Sequence, residues 1–396
     1  MTETFSGSFT QQEPIPDEAI EAALAVLRHG RLHRYNLAKG ELGETALLEQ
    51  EFAAQTGARY CLAVASGGYA LATALRAVGV RPGDAVLTNA FTLAPVPGAI
   101  ASVGARPVFV GVTESLTIDL DDLEAKAGTA RVLMLSHMRG HLCDMDRLMQ
   151  ICDDAGITVI EDCAHTMGAA WNGVPSGRQG AVGCYSCQTY KHVNSGEGGL
   201  LVTDDEEIAA RAVMMSGSYM LYERHLAAPG PEVFERIKYH TPNISGRMDN
   251  LRAAILRPQL RALDAQVARW NERYQRIEAG LRGTPGLTVI ERPEAETYVG
   301  SSIQFLLLDW AADKVQEVLR RCIARGVELK WFGTPEPVGF TSRYDSWRYA
   351  ESAPMPASDR VLAGIVDMRV PLTFSLEDCD LIARIIRAEV GAVHQS

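Results

Sequence analysis

The sequence predicts an α/β protein, with a large domain built on a mainly parallel sheet and a smaller α+β C-terminal domain. Strand-like and helix-like segments alternate between residues 60 and 161. The strand-like segments are continuous apolar runs, as expected of strands covered on both faces. A long helical pattern over 248–281 then leads into mixed strands and helices from about residue 286. At 396 residues the chain is longer than one ordinary core usually fills. The boundary is placed to give domains 1–260 and 261–396.

Residues 15–27 read as a helix with Pro16 in its first turn, and 44–55 as a second, with Leu47, Leu48 and Phe52 at helical spacing. Strand 60–65, helix 69–78, strand 85–88, a helix to about 103 and strand 107–110 follow. Helix 120–126, strand 131–136, helix 145–155 and strand 158–161 complete the alternation. Two further apolar segments, 182–187 and 199–203, flank the stretch 188–198, which is polar, contains glycine and keeps neither period, so it reads as a loop. Pro258 is expected to interrupt the long helical pattern, because proline lacks the N–H that the helix ladder uses. A helix over 376–389 ends the second domain.

Composition narrows the function. Lys and Arg total 38 against 49 Asp and Glu, a net charge of −11, and no basic stripe appears, so nucleic acid is not an expected partner. The longest weakly charged stretch, 93–112, holds Pro95, Pro97, Pro107, three glycines and Arg106, which argues against a membrane span. No basic and apolar leader opens the sequence, and a cytoplasmic location is expected. Eight cysteines lie mostly in apolar runs, the pattern of buried free thiols rather than of a disulfide framework.

No metal site is expected. Cys184 and Cys187 lack a second pair, and alternation along a strand sends them to opposite faces. His137, His141 and Cys143 lie close together but lack the spacing of a zinc helix. Gly177, Gly180 and Gly183 precede a strand instead of opening a helix, so a dinucleotide fingerprint lacks its mechanical basis.

The richest chemistry lies in 158–204. Asp162 stands at the carboxyl end of a strand, where open α/β sheets bind ligands. Lysine is scarce, with six in the chain, and only Lys191 sits among small and polar residues beside a strand end. Alone, Asp162 reads more readily as a helix cap and Lys191 as a solvated loop residue. Together they form the pair that pyridoxal phosphate chemistry needs: an amine that bonds the cofactor aldehyde, and a carboxylate that keeps the pyridine nitrogen protonated.

The chain resembles the DegT/StrS sugar aminotransferases, a branch of the fold-type-I pyridoxal phosphate enzymes. The segments that carry the resemblance run nearly end to end: LLEQEFAAQTGARYCLAVASGG from Leu47, VRPGDAVLTNAFTLAP from Val80, GARPVFV from Gly104, SHMRGHLCDMD from Ser136, IEDCAHTMGA from Ile160, YSCQTYK from Tyr185, GEGG from Gly196 and GRMDNLRAAIL from Gly246. It implies that Lys191 is the cofactor-linked catalytic lysine and Asp162 the partner of the ring nitrogen. His165 stands where the family often has Gln, near the phenolic oxygen. Phe91 matches the aromatic over the ring, with plain core packing as the equal alternative.

Ser66, Gly67 and Gly68 match the phosphate turn, where Gly68 replaces the family's usual Thr and removes one hydroxyl donor. Ser186 and Gln188 match further phosphate contacts. The family's asparagine from the neighbouring subunit is replaced in register by Ser245, leaving Asn243 or Ser245 for that role and implying a homodimer with a shared active site. Tyr219, Tyr222 and His225 stand where the family has loops on the substrate side, and Trp331 and Phe332 where it approaches substrate again. Core, lid or dimer packing are the alternatives for these residues.

The resemblance implies a ping-pong aminotransferase that moves an amino group from glutamate or glutamine to a keto group on a sugar nucleotide or keto-cyclitol. The alternatives are elimination or a non-sugar acceptor on the same cofactor, and a regulator that binds ligand without turnover. Family dehydratases carry histidine at the lysine position, so Lys191 argues against elimination, although His192 is adjacent.

Overall fold

The computed structural model describes residues 3–396. Its large sheet has seven strands in the order Tyr60–Val64, Gly199–Thr203, Val182–Ser186, Thr158–Asp162, Val132–Ser136, Ala85–Asn89 and Arg106–Val110. Six of the strands run in the same direction, and only Gly199–Thr203, antiparallel to both its neighbours, runs against them. Parallel neighbours need crossover connections. The helices Gly67–Ala77, Pro95–Ser102, Leu120–Lys126 and Met145–Ala155 lie between successive strands in sequence.

Both sheet faces are covered, which explains the unbroken apolar strands. Leu62, Val86, Met134 and Ile160 pack with Leu71, Leu75 and Ile100 on one face. Leu87, Leu133, Leu135 and Val159 pack with Leu123, Leu148 and Cys152 on the other. Because the strands run in parallel, Asp162 and Ser186 end up on the same carboxyl edge.

Pro258 does not break the long helical pattern. It lies inside the helix Asn250–Arg261, and the interruption falls at Ala262, before Leu263–Leu281. One missing ladder bond is carried by the burial of Ala253, Ala254, Leu256 and Leu260 on the same helix.

A second, antiparallel sheet has the order Thr288–Val289, Ser302–Leu306, Ile365–Arg369 and Lys330–Trp331. Residues of Leu263–Leu281, Ala312–Ala324 and Leu376–His394 share its core. Phe5 and Phe9, from the start of the chain, belong to that core too, each edge-on to Phe374 at 5.0 Å between ring centroids. A small three-stranded sheet joins Ala170–Trp171 and Val174–Pro175 to Glu296–Thr297, tying the two halves together. Among the described residues, no helix is long and apolar enough to cross a membrane.

Candidate active site

A cavity of about 390 Å³ opens at the carboxyl edge of the parallel strands, against the start of the helix Gly67–Ala77. Gly67, Gly68, Asp162, His165, Ser186, Gln188 and Lys191, all expected from the sequence, line it.

At one end the helix presents its first turn. Ser66 caps it, its Oγ accepting the Tyr69 N–H at 3.1 Å, while the first-turn amides of Gly67 and Gly68 have no acceptor within the helix. Glycine is required sterically beside this turn. A Cβ on Gly67 would come within 2.8 Å of the Ser186 Cβ, and one on Gly199 would strike the Ser66 carbonyl. Gly68, by contrast, has open space where a side chain would stand. Free amides at a helix N-terminus, with Ser186 opposite, suit a phosphate group.

At the other end Asp162 closes the strand Thr158–Asp162. Its carboxylate accepts the Ser136 hydroxyl at 3.2 Å and the Ala164 N–H at 3.2 Å. Asn89 holds Ser136 in turn, donating to its carbonyl at 2.7 Å and accepting its N–H at 2.9 Å. Burial pushes the Asp162 carboxyl above its ordinary range, and the charge of Lys191 opposes that rise.

Lys191 is carried by a braced loop. The Cys187 N–H donates to the Gly198 carbonyl at 2.8 Å, and the Lys191 N–H to the Gln188 carbonyl at 2.9 Å. Gln259, in the helix after the large sheet, accepts the Asn194 N–H at 3.0 Å and donates to its carbonyl at 2.8 Å. The Gln188 side-chain oxygen accepts the Tyr190 N–H at 2.9 Å.

Lys191 Nζ lies 3.0 Å from His165 Nε2. Burial brings the amine down to about 7, with Arg139 and Arg369 pressing the same way against the pull of Asp162. Burial, Lys191 and Arg139 hold His165 well below its usual value, so it is neutral and can accept a hydrogen bond from the ammonium. The helix N-terminus at Gly67–Gly68, the strand-end carboxylate of Asp162 and the amine of Lys191 all face one cavity, a set of groups that fits pyridoxal phosphate.

Other expected positions fall elsewhere. Phe91 is fully buried away from the cavity lining and packs edge-on against Phe332 at 5.1 Å; Leu93 and Met138 line the cavity instead. Phe91 and Leu93 lie past the strand end at Asn89, where the two-residue period no longer reports direction. Trp331 donates to the Ala363 carbonyl at 2.7 Å, so neither it nor Phe332 reaches this cavity.

None of the three residues in the tract 216–225 lines it either. Tyr219 is exposed beside Arg247, and Tyr222 stacks on Phe234 at 4.2 Å. His225 is buried between Tyr35, at 2.7 Å, and the Arg34–Glu49 ion pair. Asn243 and Ser245 are exposed on the segment before Arg247, outside the cavity of their own chain.

The sequence cluster His137, His141 and Cys143 disperses: His137 meets Glu161 at 2.9 Å, His141 meets Gln304 at 2.8 Å, and Cys143 faces Met145. His137, Glu161 and Cys163 do converge, but the Glu161 oxygens already accept the N–H groups of Gly177, Gln179 and Gly180. Cys184 lines the active-site cavity, whereas Cys187 packs in the core on the opposite face, as alternation along the strand requires. His192 is turned towards Ser301 at 3.0 Å.

Two residues that the sequence reading did not single out, Arg139 and Arg369, line an adjoining cleft that shares His165 and Lys191 with the cavity. Their signal was weak, since each lies in a loop or strand with no motif spacing of its own.

Comparison with known proteins agrees with this geometry. The chain belongs to the DegT/DnrJ/EryC1/StrS aminotransferase family, whose model matches residues 15–387. It is 34% identical over 247 residues to the 3-amino-5-hydroxybenzoate synthase of Amycolatopsis mediterranei, covering 62% of this chain and 61% of that protein. It is 32% identical over 259 residues to the L-glutamine:scyllo-inosose aminotransferase of Streptomyces griseus, covering 64% and 60%. A pleiotropic regulatory protein of Geobacillus stearothermophilus is 32% identical over 238 residues, 59% of each chain. The chain spans about three fifths of the length of these curated relatives. Among solved structures, 3-amino-5-hydroxybenzoic acid synthase matches with a TM-score of 0.83 and 25% identity over 97% of this chain and 99% of that one. DesV of S. venezuelae, in complex with a ketimine intermediate, matches at 0.81 and 25%, covering 98% of each chain. The fold is therefore that of these aminotransferases.

Proposed function

We propose that the chain is a pyridoxal phosphate-dependent aminotransferase that moves an amino group from glutamate or glutamine to a keto group of a sugar nucleotide or keto-cyclitol. The observation that carries this reading is the convergence in one cavity of an amine near neutrality, a buried strand-end carboxylate and an open helix N-terminus. The relatives named for glutamine and scyllo-inosose support the donor and the cyclitol class of acceptor.

Bound pyridoxal phosphate supplies an electron sink conjugated to the reacting carbon. The protein's part follows from its own groups. The amides of Gly67 and Gly68 and the Ser186 hydroxyl hold the phosphate, and Asp162 keeps a proton on the ring nitrogen. Lys191 Nζ gives up its proton near pH 7, so the same nitrogen can form the covalent link and move a proton as general base and then acid. His165 takes a hydrogen bond from Lys191 and would serve the cofactor's phenolic oxygen, as the family resemblance implies. Leu93 and Met138 supply aliphatic surface that excludes water. Asn243 or Ser245, both exposed, would hold the cofactor phosphate of a second copy, which makes the enzyme a homodimer with shared sites.

The test is an absorption spectrum of cofactor-loaded wild type and Lys191→Ala, before and after L-glutamate or L-glutamine. Wild type is expected to show a visible band from the lysine-linked cofactor that is lost on adding the donor. Absence of that band in wild type, or the same donor response at the same rate in Lys191→Ala, would favour a ligand-binding regulator.

A further inference from the structure

A buried ion pair from the second half of the chain, Arg292 with Glu296, ends on the wall of the active site. The turn Met138–Gly140 follows the strand Val132–Ser136 and holds two successive left-handed residues, Arg139 at φ 57° and Gly140 at φ 82°. Glycine adopts that conformation freely, but arginine does so only where its surroundings over-determine it. The turn matters for what it carries: Met138 lines the cavity of about 390 Å³, and Arg139 lines the cleft that holds Lys191 and His165. The Arg139 guanidinium is fixed at its far end by Asp367, at 2.9 Å. Its near end depends on the turn.

Within the turn the Gly140 N–H donates to the His137 carbonyl at 3.1 Å, and the His141 N–H to the Met138 carbonyl at 3.3 Å. The remaining restraint comes from residues 290–299. Arg292 Nη1 donates to the Gly140 carbonyl at 2.6 Å and to Glu296 Oε1 at 2.8 Å, and the same carboxylate oxygen accepts the Leu142 N–H at 3.0 Å. Both side chains are buried, 8% and 1% exposed. The Arg292 guanidinium lies 5.0 Å from the Tyr298 ring centroid and 5.5 Å from that of Tyr274, which limits its swing. Gly140 has little slack, since a Cβ there would stand 3.1 Å from the His165 carbonyl oxygen and 3.5 Å from that of Val299. Among the described residues, no hydrogen bond reaches Arg292 Nε or Nη2. A buried cation with spare N–H groups is a costly source of stability alone, and the bonds it does make go to the turn and to the carboxylate that holds the turn's far end.

We propose that Arg292 is a positioning residue of the active site: by holding the left-handed turn it fixes the distance between the Arg139 guanidinium and the Lys191 amine. This rests on the aminotransferase reading for what the amine does, but not for the grip on the turn. The amine also faces Asp162, His165, His192 on its own loop, and Arg369, which is stacked on the Tyr190 ring at 3.8 Å. None of these is hydrogen-bonded to Arg292, so a change at Arg292 reaches the amine through Arg139. When the turn relaxes, the Arg139 charge draws back and the amine binds its proton more tightly.

The experiment compares wild type, Arg292→Lys and Arg139→Gln, and combines the two changes in a double-variant cycle. Glu296→Gln, a milder loosening, carries the same test if Arg292→Lys does not fold. Val315→Ala, in the core of the second sheet, controls for lost stability alone. On cofactor-free protein, hydrogen exchange of the Gly140 and His141 amides is expected to quicken about tenfold in Arg292→Lys, which keeps the charge but loses the guanidinium fork. On cofactor-loaded protein, the pH midpoint of the visible lysine-linked band is expected to rise, with proton binding about two- to tenfold tighter. Arg139→Gln should raise it too, and adding Arg292→Lys to that background should move it no further. Val315→Ala should leave it at the wild-type position. Unchanged exchange, faster exchange with an unmoved midpoint, or effects that add in the double variant each overturn the proposal. A wild type without the visible band overturns the functional reading instead, and the exchange rates of cofactor-free protein still decide whether Arg292 holds the turn.

Discussion

The two walls of the active site are built on different physical principles. The wall from the large sheet uses backbone and local geometry: the glycine turn at 66–68, the strand end at Asp162 and the braced loop of Lys191. The wall towards the second sheet uses long charged side chains, Arg139, Arg369 and Asp367, brought together from far apart in the chain. The first wall is held by backbone hydrogen bonds and close glycine contacts, while the second rests on side-chain ion pairing and ring stacking. The comparison suggests that cofactor handling and substrate choice are separable by mutation.

Asp162→Asn should sharpen that separation most. It keeps the shape and removes the charge, so turnover is expected to fall by about 100-fold or more while cofactor binding through the phosphate end persists. Steady-state rates and cofactor content, measured together, check it. Arg139→Gln attacks the other wall and leaves Asp367 buried without its cation. A loss of about 3–5 kcal/mol in denaturant stability is expected. The same change removes a positive neighbour from Lys191, so the pH at which the amine becomes reactive should move up.

Lys191 itself gives a pH test on cofactor-free protein. Its folded value of about 7 lies below the ordinary 10.5, so the unfolded chain holds the extra proton between those limits. Stability therefore rises with pH across that window, and the burden of the buried ammonium is greatest below pH 7. Lys191→Met should be more stable than wild type by about 3–5 kcal/mol near pH 6, with the gain shrinking towards pH 10. Denaturant melts at both ends check the sign. The smallest effect belongs to Gly68→Thr, which fills open space beside the phosphate turn. Slower cofactor release, by about fivefold, is expected from one added hydroxyl donor.

The same contrast governs what was legible in the sequence. Parallel strands, glycine turns and the Asp162 and Lys191 pair are local, and they appear as apolar runs and motif spacing before any coordinates are known. Phe91 shows where this ends. The family resemblance implied a ring-covering aromatic, with core packing as the equal alternative, but beyond Asn89 the chain leaves the strand, and the side chain packs edge-on against Phe332. Pro258 was misread for a related reason, since tertiary burial outweighs one lost helix bond. Arg139 and Arg369 carry no periodic signal: Arg139 lies in a turn, and Arg369 comes beside Lys191 only where the second sheet meets the first.

The early phenylalanines carry a consequence for biosynthesis. The large sheet uses strands between residues 60 and 203 and can close while translation is still under way. The core that shelters Phe5 and Phe9 also needs Ile386, Val390 and Val393. Phe5 and Phe9 therefore stay uncovered until residues 386–393 have been made, long after the strands of the large sheet are available to pair.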